Sequence, residues 1–193
     1  MTLAIDISNN QGVVDLSYCG DVGVEIVVAK ATEGYGFHDD YYFSNIEHAR
    51  YYKLRVGAYH FARPSANTGA LEAKFFLDEI AQGPPVDFLV LDLEDDRVAP
   101  RAGLAAFALD WFENVAEVFH GPIYLYTSYG YAMAHNLTNA DALNGFRLWI
   151  ASWSQSKPAS IPGWPELGAW QFTDEGYVPG VGRVDQSIWY DPV

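Results

Sequence analysis

The sequence predicts an α/β fold, a single domain built as an incomplete β/α barrel with a β-rich C-terminal part. Three observations predict it. Short apolar, β-branched runs recur eight times along the 193 residues. Amphipathic helical stretches separate the early runs, and the last third carries prolines and glycines in their place. Strands that alternate with helices pair in parallel through right-handed crossovers, and eight of them suggest closure into a barrel. A chain of this length encloses one sizeable core.

Taken in order, the first strand covers residues 3–7 and the second 25–30. A helical pattern over 40–53 then places Tyr42, Ile46 and Ala49 on one face. The third strand, 55–61, leads to a helix over 69–82 that aligns Ala73, Phe76, Leu77 and Ile80. A fourth strand at 87–93 precedes the clearest helix, 101–119, where Leu104, Phe107, Ala108, Trp111, Val115 and Val118 form a continuous stripe. Core packing accounts for that stripe. Strands follow at 122–127 and 147–151. Beyond them Pro158, Pro162, Pro165 and Pro179 leave no room for full helices, and strands at 167–172 and 184–189 close the chain. No internal repeat or linker interrupts it, so residues 1–193 read as one domain.

Composition excludes several classes. Half the residues are hydrophobic and 19% are charged, which suits a globular protein and not a disordered one. The net charge of −14 would repel a phosphate backbone, so nucleic acid is not expected as a partner. No apolar stretch approaches the roughly 18 residues of a membrane span, so no membrane insertion is expected. The chain opens on a run that reads as a core strand, so no secretory leader is expected. Cys19 stands alone and offers neither an internal disulfide nor a cysteine zinc site. The 6 Trp, 13 Tyr and 11 Phe include many core residues, yet flat amphipathic rings also suit the apolar faces of sugars.

Chemistry collects at the C-terminal strand ends, where α/β barrels place functional side chains. These ends carry Asp6, Thr32-Glu33-Gly34, Tyr59-His60-Phe61, Asp92-Leu93-Glu94, Tyr126-Thr127-Ser128, Trp149-Ile150-Ala151 and Trp170-Gln171, with Asp185 opening the last strand. Asp92 and Glu94 are two apart, so both face the barrel mouth and Leu93 faces away, with backbone origins about 6.5 Å apart. Like carboxylates that close resist joint ionisation, and one must retain a proton. A glycosidase acid needs such a proton. A solvated strand end or a helix cap is the competing reading, since Asp95 and Asp96 follow directly. His60 could join Asp92 at a metal, but the spacings of a hydrolytic zinc or iron site are absent, and a hydrogen bond in the rim is the expected role. Ser8 and Ser128 lack a nucleophile elbow, and Gly34 and Gly36 read as turn glycines. No metal or cofactor is expected.

Six segments in order resemble the family 25 glycoside hydrolases, lysozymes of bacterial and phage origin. They are Ile5-Asp6-Ile7-Ser8 with Gln11-Gly12, Val28-Ala29-Lys30-Ala31-Thr32-Glu33-Gly34, Val56-Gly57-Ala58-Tyr59-His60-Phe61, Leu91-Asp92-Leu93-Glu94, Leu148-Trp149-Ile150-Ala151 and Ala169-Trp170-Gln171-Phe172. The resemblance implies a flattened, incomplete TIM-like barrel that cleaves peptidoglycan between N-acetylmuramic acid and N-acetylglucosamine. It implies Glu94 as general acid/base and Asp92 as its partner, either as nucleophile or by orienting the substrate's N-acetyl group. Asp6 and Asp185 would complete the acid set. Glu33, Tyr59, Tyr126, Trp149, Trp170 and Gln171 are the candidate substrate-binding residues. Many relatives add a wall-binding module; none is expected within residues 1–193, so the module is separate or missing, and the chain is either complete or the catalytic part of a longer protein. The missing leader suits a phage endolysin made in the host cytoplasm that reaches the wall after release. A chitinase-like, substrate-assisted hydrolase and a non-catalytic glycan-binding barrel remain the alternatives.

Overall fold

Eight strands close on one another: β1 (Thr2–Ile7), β2 (Val24–Glu33), β4 (Arg55–Phe61), β5 (Phe88–Asp92), β6 (Ile123–Ser128), β7 (Arg147–Ala151), β8 (Ala169–Val178) and β9 (Gly182–Trp189). A two-residue strand, β3 (Phe37–His38), adds a small hairpin to β2. The computed structural model describes the chain except residues 96, 98–102, 138–142, 144, 154–155, 159–160, 162, 165–166 and 191–193. Expectations placed on Asp96, on positions 101–102 of the third helix, and on Pro162 and Pro165 lie outside the described residues.

From β1 through β2, β4, β5, β6, β7 and β8 every pairing is parallel. The last two are antiparallel, β8 with β9 and β9 with β1. The antiparallel pairs fall in the β-rich C-terminal part, where the helix–strand alternation ends, and for β9 the reason is covalent. Three residues separate β8 from β9, and a parallel crossover needs a dozen or more. The turn is closed by Val181 N–H donating to Val178 O at 3.1 Å. Gly180 sits in it at φ +83°, and a Cβ there would lie 2.2 Å from Asp15 O. Asp15 N–H in turn donates to Gly180 O at 2.9 Å, so the hairpin is tied to the loop after β1.

The helical layer comprises α1 (Tyr42–Tyr51), α2 (Gly69–Ile80), α3 (Leu104–Ala116) and the short α4 (Tyr129–Ala134). Two single 3-10 turns, Leu16–Tyr18 and Gly20–Val22, stand in for a helix between β1 and β2. Among the described residues no helix joins β7 to β8. The barrel is thus closed as a sheet and incomplete as a helical coat. No described helix is long and apolar enough to cross a membrane.

Period-two alternation sends each strand's residues to two separate cores. Outward residues such as Ile5, Val27, Val56, Leu89, Leu125 and Ile150 pack under the helices against Phe76, Trp111 and Phe112. Inward residues fill the barrel, where Phe88, Tyr124, Trp149 and Trp189 form an aromatic plug with ring centroids 4.8–5.4 Å apart. Gly57 makes room for it, because a Cβ there would come within 2.3 Å of the Phe88 ring. The plug supports a floor, and the polar inward residues gather above it.

Candidate active site

The inward face of each strand changes from apolar to acidic near its mouth end. On β5 the inward series runs Phe88, Val90, Asp92 and then Glu94, while Leu93 is buried in the outer core as its parity requires. On β1 the series is Ala4 and Asp6, and on β9 it is Trp189, Ser187 and Asp185. Register then sets Asp6 directly opposite Asp185. A cleft of about 200 Å³ opens there, walled by aromatic Tyr59, Phe61, Tyr126 and Trp149. Asp6, Asp92, Glu94 and Asp185 all line it, with Asn10, Lys30 and Val90.

All four carboxyls are pushed above their ordinary values. Burial is the main cause for each. Asp185 adds to it at Asp6 and at Glu94, Glu94 adds to it at Asp92, and Asp174 adds to it at Asp185. Asp6 and Asp92 are held well above the usual carboxylate range. Asp92 is 7% exposed, and its Oδ1 has no hydrogen-bond partner among the described residues. Glu94 is the more accessible of the two. Tyr59 and Tyr126 are likewise held well above the ordinary phenol value by burial, with Asp92 and Glu94 as the next causes, so both present neutral hydroxyls.

Three of the residues expected to bind substrate sit elsewhere or are already engaged. Glu33 does not line the cleft; its carboxylate takes Lys30 Nζ at 2.7 Å and the guanidinium of Arg63, with Nε at 2.8 Å. Those two cations hold Glu33 below its ordinary value against the opposing effect of burial. Trp170 alternates to the other face, packs with the outer core and donates its indole N–H to Ser152 O at 2.8 Å. Gln171 faces inward but is fully buried beneath the acids. Its Nε2 donates to Asp6 Oδ2 at 3.1 Å and Asp185 Oδ2 at 3.2 Å, and its Oε1 accepts from Tyr126 at 2.9 Å and from Trp153 at 3.1 Å.

Lys30, Phe61 and Asn10 line the cleft without having been singled out. Parity with Ile26 and Val28 is enough to turn Lys30 inward, where its ammonium lies 5.1 Å from the Phe37 ring and 5.2 Å from that of Phe61. It opposes the rise of the Asp92 carboxyl. Asn10 lies in a turn, where no periodic signal could find it. His60, expected to hydrogen-bond in the rim, makes its hydrogen bonds on the helix side and not in the cleft. It lies between Thr32 Oγ1 at 2.7 Å and Glu72 Oε2 at 2.8 Å. Burial pushes its pKa down, so the ring is neutral; Nε2–H donates to Glu72, and Nδ1 accepts from Thr32. Behind Glu94, Asp95 is buried and clamped by Arg63 Nη1 at 2.9 Å and Arg97 Nε at 2.9 Å. Among the described residues no three His, Cys, Asp or Glu side chains are grouped so that they could hold a metal ion.

Carboxyls whose ionisation is opposed by burial and by one another, set between aromatic walls, suit one task above others. They can protonate a glycosidic oxygen while stabilising the sugar cation left behind. Fold and site together define a glycoside hydrolase of the β/α-barrel class.

The chain belongs to the glycosyl hydrolases family 25, whose sequence model matches residues 5–181. It is 30% identical over 95% of its length to lysozyme M1 of Streptomyces globisporus, of which it spans 66%. It is 30% identical to the N,O-diacetylmuramidase of a Chalaropsis species, covering 88% of this chain and 86% of that one. Among solved structures, the bacterial lysozyme of Streptomyces coelicolor superposes with a TM-score of 0.87 at 25% identity, covering 98% of this chain and 92% of the other.

Proposed function

We propose that this chain hydrolyses the β-1,4 bond between N-acetylmuramic acid and N-acetylglucosamine in bacterial peptidoglycan. The observation that carries the proposal is the pair Asp92, at the end of β5, and Glu94, two residues beyond it, both lining a cleft with four aromatic rings. Glu94 is the general acid/base, and Asp92 stabilises the charge that develops at the sugar. Tyr59, Phe61, Tyr126 and Trp149 offer rings to the apolar faces of the saccharide. The named relatives, a lysozyme and a muramidase, support the choice of substrate.

Digestion of purified peptidoglycan followed by mass spectrometry of the released fragments tests this directly. N-acetylmuramic acid at the new reducing ends is the expected result. N-acetylglucosamine there would make the enzyme a glucosaminidase. The absence of new ends, with retained glycan binding, would make the barrel a binding module.

A further inference from the structure

We propose that Gln171 is a positioning residue whose amide, held one way round by Trp153, binds Asp6 and Asp185 into a pair sharing one proton. A primary amide has two N–H donors and an oxygen with two lone pairs. Gln171 is fully buried, so water cannot supply any of these partners, yet all four positions are filled. The two donors reach Asp6 and Asp185, and the oxygen receives the Tyr126 hydroxyl and the Trp153 indole N–H.

The orientation of the amide follows from one of those partners. A phenol hydroxyl can donate or accept, but an indole N–H can only donate. The Gln171 atom facing Trp153 must therefore be the oxygen, and the NH₂ group must face the acids. The reverse orientation would set N–H against N–H at one end and an oxygen against two carboxyls at the other.

The two acids are direct cross-strand partners on β1 and β9, and one amide nitrogen donates to an Oδ2 of each, which brings the carboxyls together. Two carboxyls brought together in this way can hydrogen-bond each other only if one is protonated. Burial and their mutual repulsion favour retaining protons, while the Gln171 donor favours the charged form of Asp6. The amide thus keeps one negative charge on the pair where burial alone would favour two protons. That charge bears on Glu94, since Asp185 is the neighbour that raises the Glu94 carboxyl. Other groups face the pair: Asp92 from the end of β5, Glu94 just beyond it, Tyr59 from β4, Tyr126 from β6 and Lys30 from β2. Behind Asp185 stand Asp174 and Arg183. None of the groups in that setting is altered when Trp153 is changed.

The inference deepens the reading of the cleft as a hydrolase site, but its test needs no turnover. The protein, carrying ¹³C-labelled aspartate carboxyls, is titrated by NMR, with Asp6→Asn and Asp185→Asn assigning the signals. In Gln171→Met the pair should release its shared proton at a pH higher by about one pH unit, as expected for loss of a hydrogen bond to a charged group. Trp153→Phe keeps an aromatic ring at a side chain that is 61% exposed, and it removes only the N–H that orients the amide. There the midpoint should move in the same direction by less. An unchanged or lowered midpoint in either folded variant overturns the proposal. If Gln171→Met fails to fold, Trp153→Phe decides alone. Unaltered midpoints in an enzyme that still cleaves peptidoglycan would refute this role for Gln171 and leave the hydrolysis reading standing.

Discussion

Glu94 and Asp92 share a strand face but differ in what their removal should expose. Glu94→Gln keeps the shape and removes the transferable proton, so turnover on peptidoglycan should fall by roughly 10²–10⁴-fold. A nitrophenyl glycoside accepted by the site has a leaving group that needs little protonation. On it Glu94→Gln should regain most of the first-step rate, while Asp92→Asn should stay slow. Rates of both variants on both substrates make the comparison, and the opposite pattern would exchange the two roles. Asp92 should also cost stability. Its carboxyl is raised in the folded protein, so below the ordinary aspartate value of about 3.9 both states are protonated and nothing is lost. As pH rises from there, ionisation favours the unfolded chain, and the penalty grows until the folded-state value is passed. Asp92→Asn should therefore be more stable than the parent near pH 7 by about 1 kcal/mol or more, with the gain vanishing near pH 3 in urea titrations. At this scale the sequence exposed the acids well, because strand parity fixes where an Asp-x-Glu pair points. It exposed their partners poorly. Nothing local distinguishes Gln171, whose four partners come from four other segments, from a residue that touches sugar. Trp170 was legible in principle: its neighbour Gln171 faces in, so parity turns it out.

At the scale of elements, the hairpin from β8 to β9 does most to shape the site, because it alone sets Asp185 across from Asp6. Its turn depends on Gly180, which adopts a positive φ and lies against the loop after β1. Gly180→Ala should destabilise the protein by about 1–3 kcal/mol, since both the left-handed backbone and the contact with Asp15 O oppose a Cβ. Urea unfolding monitored by tryptophan fluorescence would measure it, and a loss below a few tenths of a kcal/mol would show that the turn relaxes freely. The strand runs and three of the helices were legible from periodicity. The direction of β9 was not read from it, because an apolar run has the same appearance in parallel and antiparallel pairs. The short connection carried the missing information, since Pro179 and Gly180 turn the chain within three residues. Likewise α1 ends by Lys53, at φ +60°, a feature that helical periodicity cannot announce.

For the molecule as a whole, the aromatic excess that hinted at carbohydrate divides between two uses. Tyr124 and Trp189 are buried in the barrel floor, while Tyr59, Tyr126 and Trp149 reach the cleft. Composition could not separate these uses, because both need large flat rings on inward positions. Charge behaves differently, for it acts at a distance and needs no fold to be read. With 25 acidic against 11 basic residues the protein carries −14, and four of those acids line the cleft. Gram-positive walls are anionic as well, so approach to a whole cell is opposed over roughly a Debye length, about 8 Å at physiological salt. Short soluble oligomers lack that extended field and enter the same cleft without it. Adding salt from a few millimolar to physiological strength should therefore raise the lytic rate on whole cells severalfold. Turnover of short oligomers should barely change over the same range. Fusing a cationic segment to the chain should reproduce the gain at low salt, because it offsets the same repulsion. Turbidity clearing of cells and chromatographic assay of oligomers, run in parallel across the series, separate approach from chemistry. A whole-cell rate that falls steeply with salt would mean that attraction to a basic partner governs binding, and the repulsion argument would fail.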